Sequence, residues 1–227
     1  PQGGEKVLIY HVTGEKVPEG KLPLDVGAVV LNCTTISSIA RYCRTGLPLV
    51  KKCVTVDGSA VKNPMNVLVP IGTRMKDVFE ATGGFKEEPK MVLYGGPMMG
   101  IAVPDLEQPI LKNTNAILAF GEAEATPPEP TACIKCGKCI AHCPLSLMPC
   151  EMETAYKKGN IERLMNLKVN LCMECGCCSF ICPAHRPLVQ TNKLAKAQVM
   201  AYKNALKAKA EAEKQKLEAE KQKEAAK

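Results

Sequence analysis

Eight of the thirteen cysteines in this chain fall into two runs of the same spacing, C-x2-C-x2-C-x3-C-P, which start 39 residues apart at positions 133 and 172. The first run contains Cys133, Cys136, Cys139 and Cys143, and the second contains Cys172, Cys175, Cys178 and Cys182. This spacing is typical of loops that hold a cubane [4Fe–4S] cluster, because two-residue gaps let three thiolates reach three corners of the cube. The two runs therefore predict two [4Fe–4S] clusters.

In two-cluster proteins of this kind, the fourth cysteine of each run binds the other cluster. We therefore expect one cluster to be held by Cys133, Cys136, Cys139 and Cys182. The other cluster is expected at Cys172, Cys175, Cys178 and Cys143. Zinc is the main alternative, but zinc sites usually combine two separated C-x2-C pairs, and not two four-cysteine runs that end in proline. Crossed ligation would place the clusters close enough for rapid exchange of single electrons.

The remaining cysteines do not fit the ligand pattern. Cys33, Cys43 and Cys53 recur every ten residues, which suits no cluster loop, and we expect them to be buried as small apolar side chains. Cys150 and Cys177 lie near the runs, but the two-residue spacing does not select either of them as a ligand.

Charged and imidazole side chains also flank the runs. His142 and His185 are not expected to bind iron, because no cysteine is missing for a histidine to replace. Lys135, Lys138 and Arg186 have two open interpretations. They could raise reduction potentials or dock an acidic partner, or they could be solvated surface charge.

Bulk composition limits the class of protein. The chain has 227 residues, is 46% hydrophobic and carries a formal charge of +7, and bound clusters would lower that charge by about four. No apolar run approaches the roughly 18 residues that would cross a membrane. Most cysteines fall in cluster runs, which indicates a reducing compartment and not a disulfide scaffold. Basic residues are not interleaved with aromatic ones, so nucleic acid is not an expected partner.

The pattern of secondary structure predicts an α+β fold. A strand is predicted at Val7 to Val12, followed by a short helix that Thr34 or Thr35 caps. This segment looks like the end of a larger α/β domain whose beginning is missing. Further strands are predicted at Cys53 to Val56 and at Val67 to Pro70.

Turn residues divide the rest of the chain. Asp57-Gly58 is a hairpin signal, and Gly72-Thr73 is predicted to cap a helix that ends near Ala81. Strands are predicted at Met91 to Tyr94 and Ala116 to Phe120. Between the cysteine runs, helices are predicted at Glu151 to Lys158 and Ile161 to Leu167, with a hinge at Gly159-Asn160.

Four segments, in this order, resemble the C subunit of the Rnf/Rsx electron-transport complex. They are Gly4-Glu5-Lys6, the run from Asn32 to Ile36, the glycine-rich turn Gly95 to Gly100, and the two cysteine runs. The resemblance covers about residues 1–195. It implies a peripheral subunit on the cytoplasmic face of the bacterial inner membrane, in a complex that exchanges electrons between NADH and ferredoxin and couples this transfer to Na⁺ or H⁺ translocation.

The resemblance also implies a flavin site. That family is similar in its N-terminal part to the NADH- and flavin-binding subunit of respiratory complex I. Gly4 and Glu5 fall where that subunit has a Gly-Glu pair at the isoalloxazine and nicotinamide site, and Asn32 and Thr35 fall in a segment that helps bind FMN. Lys6 and Thr34 replace acidic residues of complex I, and the glycine-rich flavin loop expected upstream is not among these 227 residues. FMN is therefore expected in the full-length protein.

The predicted parts are as follows. They are 1–50, the C-terminal part of an NADH/FMN-binding-like domain; 51–124, a β-grasp (SLBB-like) domain and following strands; 125–130, a Pro-rich linker; 131–191, a helix-rich two-[4Fe–4S] ferredoxin-like domain; and 192–227, a charged helical tail.

The predicted function is electron transfer between NADH, through FMN, and ferredoxin, within a membrane complex whose other subunits are partners. Two alternatives are a subunit of a soluble bifurcating hydrogenase or dehydrogenase, and a non-enzymatic scaffold with structural clusters. Whether the native protein purifies with or without membranes distinguishes a membrane complex from the soluble enzyme. Reduction of both clusters by NADH in the intact complex would argue against the scaffold.

Overall fold

The computed structural model describes residues 2–225 and, in the tail, side chains only through residue 213 and at Gln215. Residues 1, 226 and 227, which belong to the predicted first and last parts, lie outside the described residues. The chain forms two compact units, one from Leu8 to Glu129 and one from the residues up to Val7 together with those from Pro130 onward. Across residues 2–225, no helix combines the length and the apolar character needed to cross a bilayer.

The first elements are helical. Helix α1 (Glu5–Thr13) is followed by a 3-10 turn at Pro23–Val26 and by helix α2 (Cys33–Thr45). The predicted strand at Val7 to Val12 is therefore wrong. No strand lies beside this segment in residues 2–225, and a helix satisfies backbone hydrogen bonds internally where a lone strand would not.

The cap of α2 also differs from the prediction. Asn32 is the N-cap, and its side chain accepts a hydrogen bond from the Thr34 amide at 2.9 Å. The two threonines instead lie within the first turn of the helix. Asparagine suits this position because its oxygen satisfies an amide that has no partner inside the helix.

A mixed five-stranded sheet, with the order β2-β1-β5-β3-β4, organises the part of the chain from residue 51 to residue 120. The strands are β1 (Lys51–Asp57), β2 (Met65–Pro70), β3 (Met91–Tyr94), β4 (Ile101–Ala102) and β5 (Ala116–Phe120). β1 pairs antiparallel with β2 and parallel with β5, while β3 pairs antiparallel with both β4 and β5. The strands predicted at these places are confirmed, and so is the α+β class.

Helix α3 (Met75–Ala81) completes the core of this unit. Its Met75 and Phe79 are buried with Val54, Val56 and Ile117 of the sheet. The helix begins later than predicted, because Arg74 is the N-cap, and the Thr73 hydroxyl donates to the Pro70 carbonyl instead of capping it.

Gly58 follows β1 for a reason that the turn signal did not indicate. Its φ is +117°, and a Cβ there would lie 2.1 Å from the Ala119 carbonyl oxygen of β5. Only glycine allows β5 to approach so closely. The connection to β2 continues to Pro64, so the predicted tight hairpin at Asp57-Gly58 is a longer loop.

The second unit contains the cysteine runs and is mostly helical. After α4 (Glu122–Ala125), the last helix of the first unit, the chain forms α5 (Lys138–Ala141), α6 (Pro149–Lys157), α7 (Ile161–Asn166), a 3-10 turn at Val169–Leu171, α8 (Cys177–Phe180) and α9 (Leu188–Ala225). The helices predicted between the runs are confirmed. Asn160 caps α7 through its side chain, which accepts from the Arg163 amide at 2.8 Å.

Helix α9 does more than form a tail. It has no break at residue 192, where the charged tail was predicted to begin, and Ala195 and Val199 are fully buried in the core of this unit. Met152 of α6 and Leu164 of α7 belong to the same core. From residue 201 to residue 213 the side chains are exposed, as predicted for a solvated helix.

Candidate metal centre

The two cysteine runs fold as copies of one loop. Lys135 and Glu174, which occupy equivalent positions, have φ values of +56° and +59°. Gly137 and Gly176, also equivalent, have φ values of +75° and +82° and precede the short helices α5 and α8. Left-handed conformations are uncommon for residues other than glycine. Their repetition at the same place shows that both loops adopt the same curled backbone.

The first cavity lies inside the first loop. It has a volume of about 270 Å³ and is lined by Cys133, Cys136, Cys139 and Cys182, and also by Cys150. Cys133 and Cys136 are exposed, while Cys139 is buried. Three cysteines of the first run thus meet the fourth cysteine of the second run.

The second cavity lies inside the second loop and is much smaller, at about 20 Å³. It is lined by Cys172, Cys175, Cys178 and Cys143, and also by Cys177. Cys178 is buried, and the other four cysteines are half-buried. The grouping in both cavities is the one that crossed ligation requires, and the ligation itself stays a prediction.

Each cavity is lined by the four cysteines that crossed ligation of a cubane cluster would require. Among the side chains that the structure describes, no group of three or more histidine, cysteine or acidic residues could hold a metal ion. A cubane makes a different demand, because each of its four thiolates binds a different iron atom. Four cysteines spread around a cavity meet that demand.

The protein environment keeps several of these thiols protonated. Burial raises the pKa of Cys139 to about 11, with a further contribution from the neighbouring Cys150 thiol. Burial also raises the pKa of Cys178 to about 12, and the nearby Cys172 adds to this. Several thiolates so close together would repel one another. A positively charged iron core would remove that repulsion, since metal binding displaces the thiol protons.

A buried ion pair joins the ends of the two loops. Glu153 of α6 is 2% exposed, and Arg186 donates to its two carboxylate oxygens, each at 2.7 Å. Arg186 also donates to the Thr131 carbonyl at 2.8 Å, just before the first run, and it lines the first cavity. Although burial alone would raise the pKa of Glu153, hydrogen bonds from Arg186 and Lys157 outweigh it and hold the pKa below its usual value.

Other residues that the sequence singled out have different surroundings. Cys33, Cys43 and Cys53 are exposed, so the prediction that they are buried is wrong. The first two lie on α2, none of whose residues is buried, and Cys53 alternates with the inward residues of β1. His142 and His185 are exposed, which is consistent with a surface role.

The four predicted flavin residues fall in separate units. Gly4 is half-buried and Glu5 exposed in the unit that contains the cysteine loops, whereas Asn32 and Thr35 are exposed in the unit of the sheet. Asn32 is engaged as the cap of α2, whose first-turn amides provide an N-terminus suited to anionic groups. The assignment of FMN to these residues stays a prediction.

Sequence reasoning missed Asn192 and Lys196 of α9. Both contact Cys172 or its loop: Asn192 through the sulfur and Lys196 through the carbonyl oxygen. These two residues follow the second run as Glu153 and Lys157 follow the first, each 39 residues earlier.

Comparison with known families agrees with this organisation. Residues 53–102 match the SLBB domain family, and residues 1–41 match the Nuo51 FMN-binding domain family. The predicted SLBB-like domain is thereby confirmed, while its exact limits stay a prediction.

Curated relatives are more specific, and three of them are C subunits of translocating oxidoreductase complexes. The chain is 44% identical to that of the proton-translocating ferredoxin:NAD(+) oxidoreductase complex of Clostridium ljungdahlii, over 70% of this chain and 35% of that protein. It is 40% identical to that of the Na(+)-translocating ferredoxin:NAD(+) oxidoreductase complex of Acetobacterium woodii, over 88% of this chain and 45% of that protein. It is 38% identical to the C subunit of the ion-translocating oxidoreductase complex of Rhodobacter capsulatus, over 88% of this chain and 38% of that protein.

The chain is therefore related to the C subunits of ion-translocating oxidoreductase complexes, which confirms the resemblance found in the sequence. It spans between about a third and just under half of the length of these three relatives.

Proposed function

We propose that this chain is the electron-carrying part of a subunit that passes electrons between NADH, through FMN, and ferredoxin, in a membrane complex that translocates ions. The observation that carries the proposal is the pair of cavities, each lined by three cysteines of one run and the fourth cysteine of the other. The names of the relatives support the reaction, since they describe ferredoxin:NAD(+) oxidoreductase complexes.

The residues of the chain would hold two [4Fe–4S] clusters, one in each cavity. When bound, such clusters supply one-electron transfer at low potential. The left-handed residues of each loop curl the backbone around the cavity, and the crossed fourth cysteines keep the two cavities adjacent. The ion pair between Glu153 and Arg186 fixes the ends of the loops. These contacts limit the rearrangement of the ligands when the charge of the site changes.

FMN and NADH are proposed for the N-terminal part. When bound, FMN connects the two-electron chemistry of NADH to one-electron carriers. Asn32 and Thr35 offer amide and hydroxyl groups to a flavin, and Gly4 and Glu5 are the proposed residues at the nicotinamide side. The match of residues 1–41 to the Nuo51 FMN-binding domain family supports this part of the proposal.

The proposed location is the cytoplasmic face of the bacterial inner membrane, as a peripheral subunit held by the other subunits. The names of the relatives describe subunits of translocating complexes, and residues 2–225 contain no helix suited to span a membrane. Attachment through partner subunits accounts for both observations.

The test is reduction by NADH in the assembled complex, followed by visible absorption and low-temperature EPR. We expect NADH to reduce both clusters in the wild-type complex. Asn32→Ala should lower the FMN content and leave the iron content unchanged. Asn32→Asp is the matched control for helix capping, because aspartate caps helices as well as asparagine does. Full cluster content with no reduction by NADH would contradict the proposed function.

A further inference from the structure

Helix α9 holds Cys172 at two atoms. Nδ2 of Asn192 donates to the Cys172 sulfur at 3.9 Å. One turn later, Nζ of Lys196 donates to the Cys172 carbonyl oxygen at 2.8 Å and to Glu174 at 2.7 Å. Asn192 is 1% exposed and lines the second cavity. Its amide is therefore fixed against a predicted ligand sulfur and shielded from water.

The other end of the same amide is unsatisfied. Oδ1 of Asn192 is buried and has no hydrogen-bond partner within the described residues. A buried polar atom without a partner costs about 1–3 kcal/mol. An apolar side chain of similar size would avoid that cost, so stability alone does not explain an asparagine at this position. Donation to the Cys172 sulfur is the contact that an apolar side chain could not make.

Helix α6, which follows the first loop, carries a different buried group. Glu153, which lies 39 residues before Asn192, is also buried, but it accepts hydrogen bonds from Arg186 and Lys157. An ionised carboxylate cannot donate a hydrogen bond to a sulfur. The first cavity thus has a guanidinium group in its wall where the second has an amide donor.

We propose that Asn192 sets the reduction potential of the cluster in the second cavity by donating its Nδ2–H to the Cys172 sulfur. This inference rests on the proposed function. One-electron reduction adds negative charge to a cluster and its thiolates, and a hydrogen-bond donor to the sulfur stabilises the more negative state. Asn192 therefore raises the potential. No bond forms or breaks at the asparagine, which acts through Cys172 as a positioning residue.

The experiment is an EPR-monitored redox titration of the complete natural protein after anaerobic reconstitution. Asn192→Leu removes the donor, and Asn192→Asp removes it while preserving the shape of the side chain. Gln190→Leu is the matched control, because it removes a carboxamide from an exposed position of the same helix. The signal of the second cavity is identified as the one that Cys175→Ser abolishes.

We expect both Asn192 variants to move that one transition to a more negative potential. The expected fall in the equilibrium constant for reduction is about tenfold for Asn192→Leu, equivalent to about 59 mV for a one-electron couple. The fall in the equilibrium constant should be larger for Asn192→Asp, because this variant adds a negative charge. In both Asn192 variants, the potential of the other transition and the iron content should match those of the wild type. The Gln190→Leu variant should match the wild type in both potentials.

Normal iron content with unchanged potentials in both Asn192 variants would overturn the inference and leave the proposed function intact. Loss of iron in both variants would show that Asn192 retains the cluster and does not tune it, which also overturns the inference. If the leucine variant alone loses iron, an unchanged potential in the aspartate variant would overturn the inference. Wild-type protein without iron and sulfide would overturn the proposed function itself.

Discussion

The two cysteine loops share a backbone but not an environment. Both place three thiols and a crossed fourth thiol around a cavity, and both use a left-handed residue and a left-handed glycine at equivalent positions. The first cavity is large, has exposed Cys133 and Cys136, and has Arg186 in its wall. The second is small, has no exposed thiol and has Asn192 in its wall.

This difference shows which features the spacing determines and which it leaves open. Spacing determines how the thiols gather, because a short loop has few ways to curl around a cluster. Charge and exposure around the cavities depend on residues outside the runs, such as Arg186 at the first cavity and Asn192 of α9 at the second. If each cavity holds a cluster, as proposed, these different surroundings would give the two clusters different potentials.

The largest expected effect is the loss of one cluster when a cysteine of the other run is replaced. Cys143→Ser lies in the first run, yet it should destroy the cluster of the second cavity, because the Cys143 thiol lines that cavity. About half of the iron should be lost, and the EPR signal abolished by Cys175→Ser should be the one that disappears. Cys177→Ser, next to a predicted ligand, is the control and should retain the full iron content. Loss of the first-cavity signal alone would show that ligation is not crossed.

The next effect concerns the ion pair of the first loop. Glu153→Gln should lower the free energy of unfolding by about 3 kcal/mol, because it leaves the 17%-exposed side chain of Arg186 without its buried carboxylate. Glu151→Gln is the matched control on the same helix. The Glu151 side chain is 46% exposed and lies 3.9 Å from Arg163, so its loss should cost less than about 1 kcal/mol. Equal effects in chemical denaturation would mean that the buried pair does not fix the loops.

Contacts along α9 should divide the helix into a packed start and a solvated end. Val199→Ala should cost about 2 kcal/mol, because Val199 is fully buried between α6 and α7 residues. Deleting residues 203–227 should change stability and cluster content little, because the described side chains from 203 to 213 are exposed. Urea denaturation of both variants checks this contrast. A large, salt-insensitive loss on truncation would show specific packing of the tail.

The smallest expected effect is a dependence of the iron-free protein on pH. Burial raises the pKa of Cys139 to about 11 and that of Cys178 to about 12, while an unfolded cysteine has a value near 9. The thiol form is favoured in the folded state, so this stability is complete below pH 9 and is lost as the pH rises toward 11 and 12. A loss on the order of 1 kcal/mol is expected between pH 9 and pH 10.5.

Thermal unfolding of the iron-free protein measures this dependence. Cys178→Ser, which cannot titrate there, should be less sensitive to pH than the wild type. The same sensitivity in both would show that Cys178 is not the group responsible. Iron incorporation should become easier over the same range, since cluster binding requires thiolates.

The sequence predicted local features well. C-x2-C spacing predicted which thiols gather, and alternation of apolar residues predicted β1, because each pattern depends on neighbours close along the chain. The predictions from sequence were wrong where contacts between residues far apart in the chain determine the structure. The segment from Val7 to Val12 has the composition of a strand, yet within residues 2–225 no strand lies beside it, and it forms α1.

Burial and contacts with distant elements also could not be predicted from the sequence. Cys33 and Cys43 resemble core residues by type, but α2 buries none of its side chains. Asn192 looked like the start of a polar tail, because only the folded unit shows that α9 passes beside the second loop.

Quantitative iron and sulfide analysis of the complete, anaerobically reconstituted protein tests the central claim most directly, when combined with low-temperature EPR after dithionite reduction. Two [4Fe–4S] clusters predict about eight iron and about eight sulfide per chain, with two interacting signals. Stoichiometric zinc, no acid-labile sulfide and no EPR signal would contradict the account, since the cavities would then hold a different metal group.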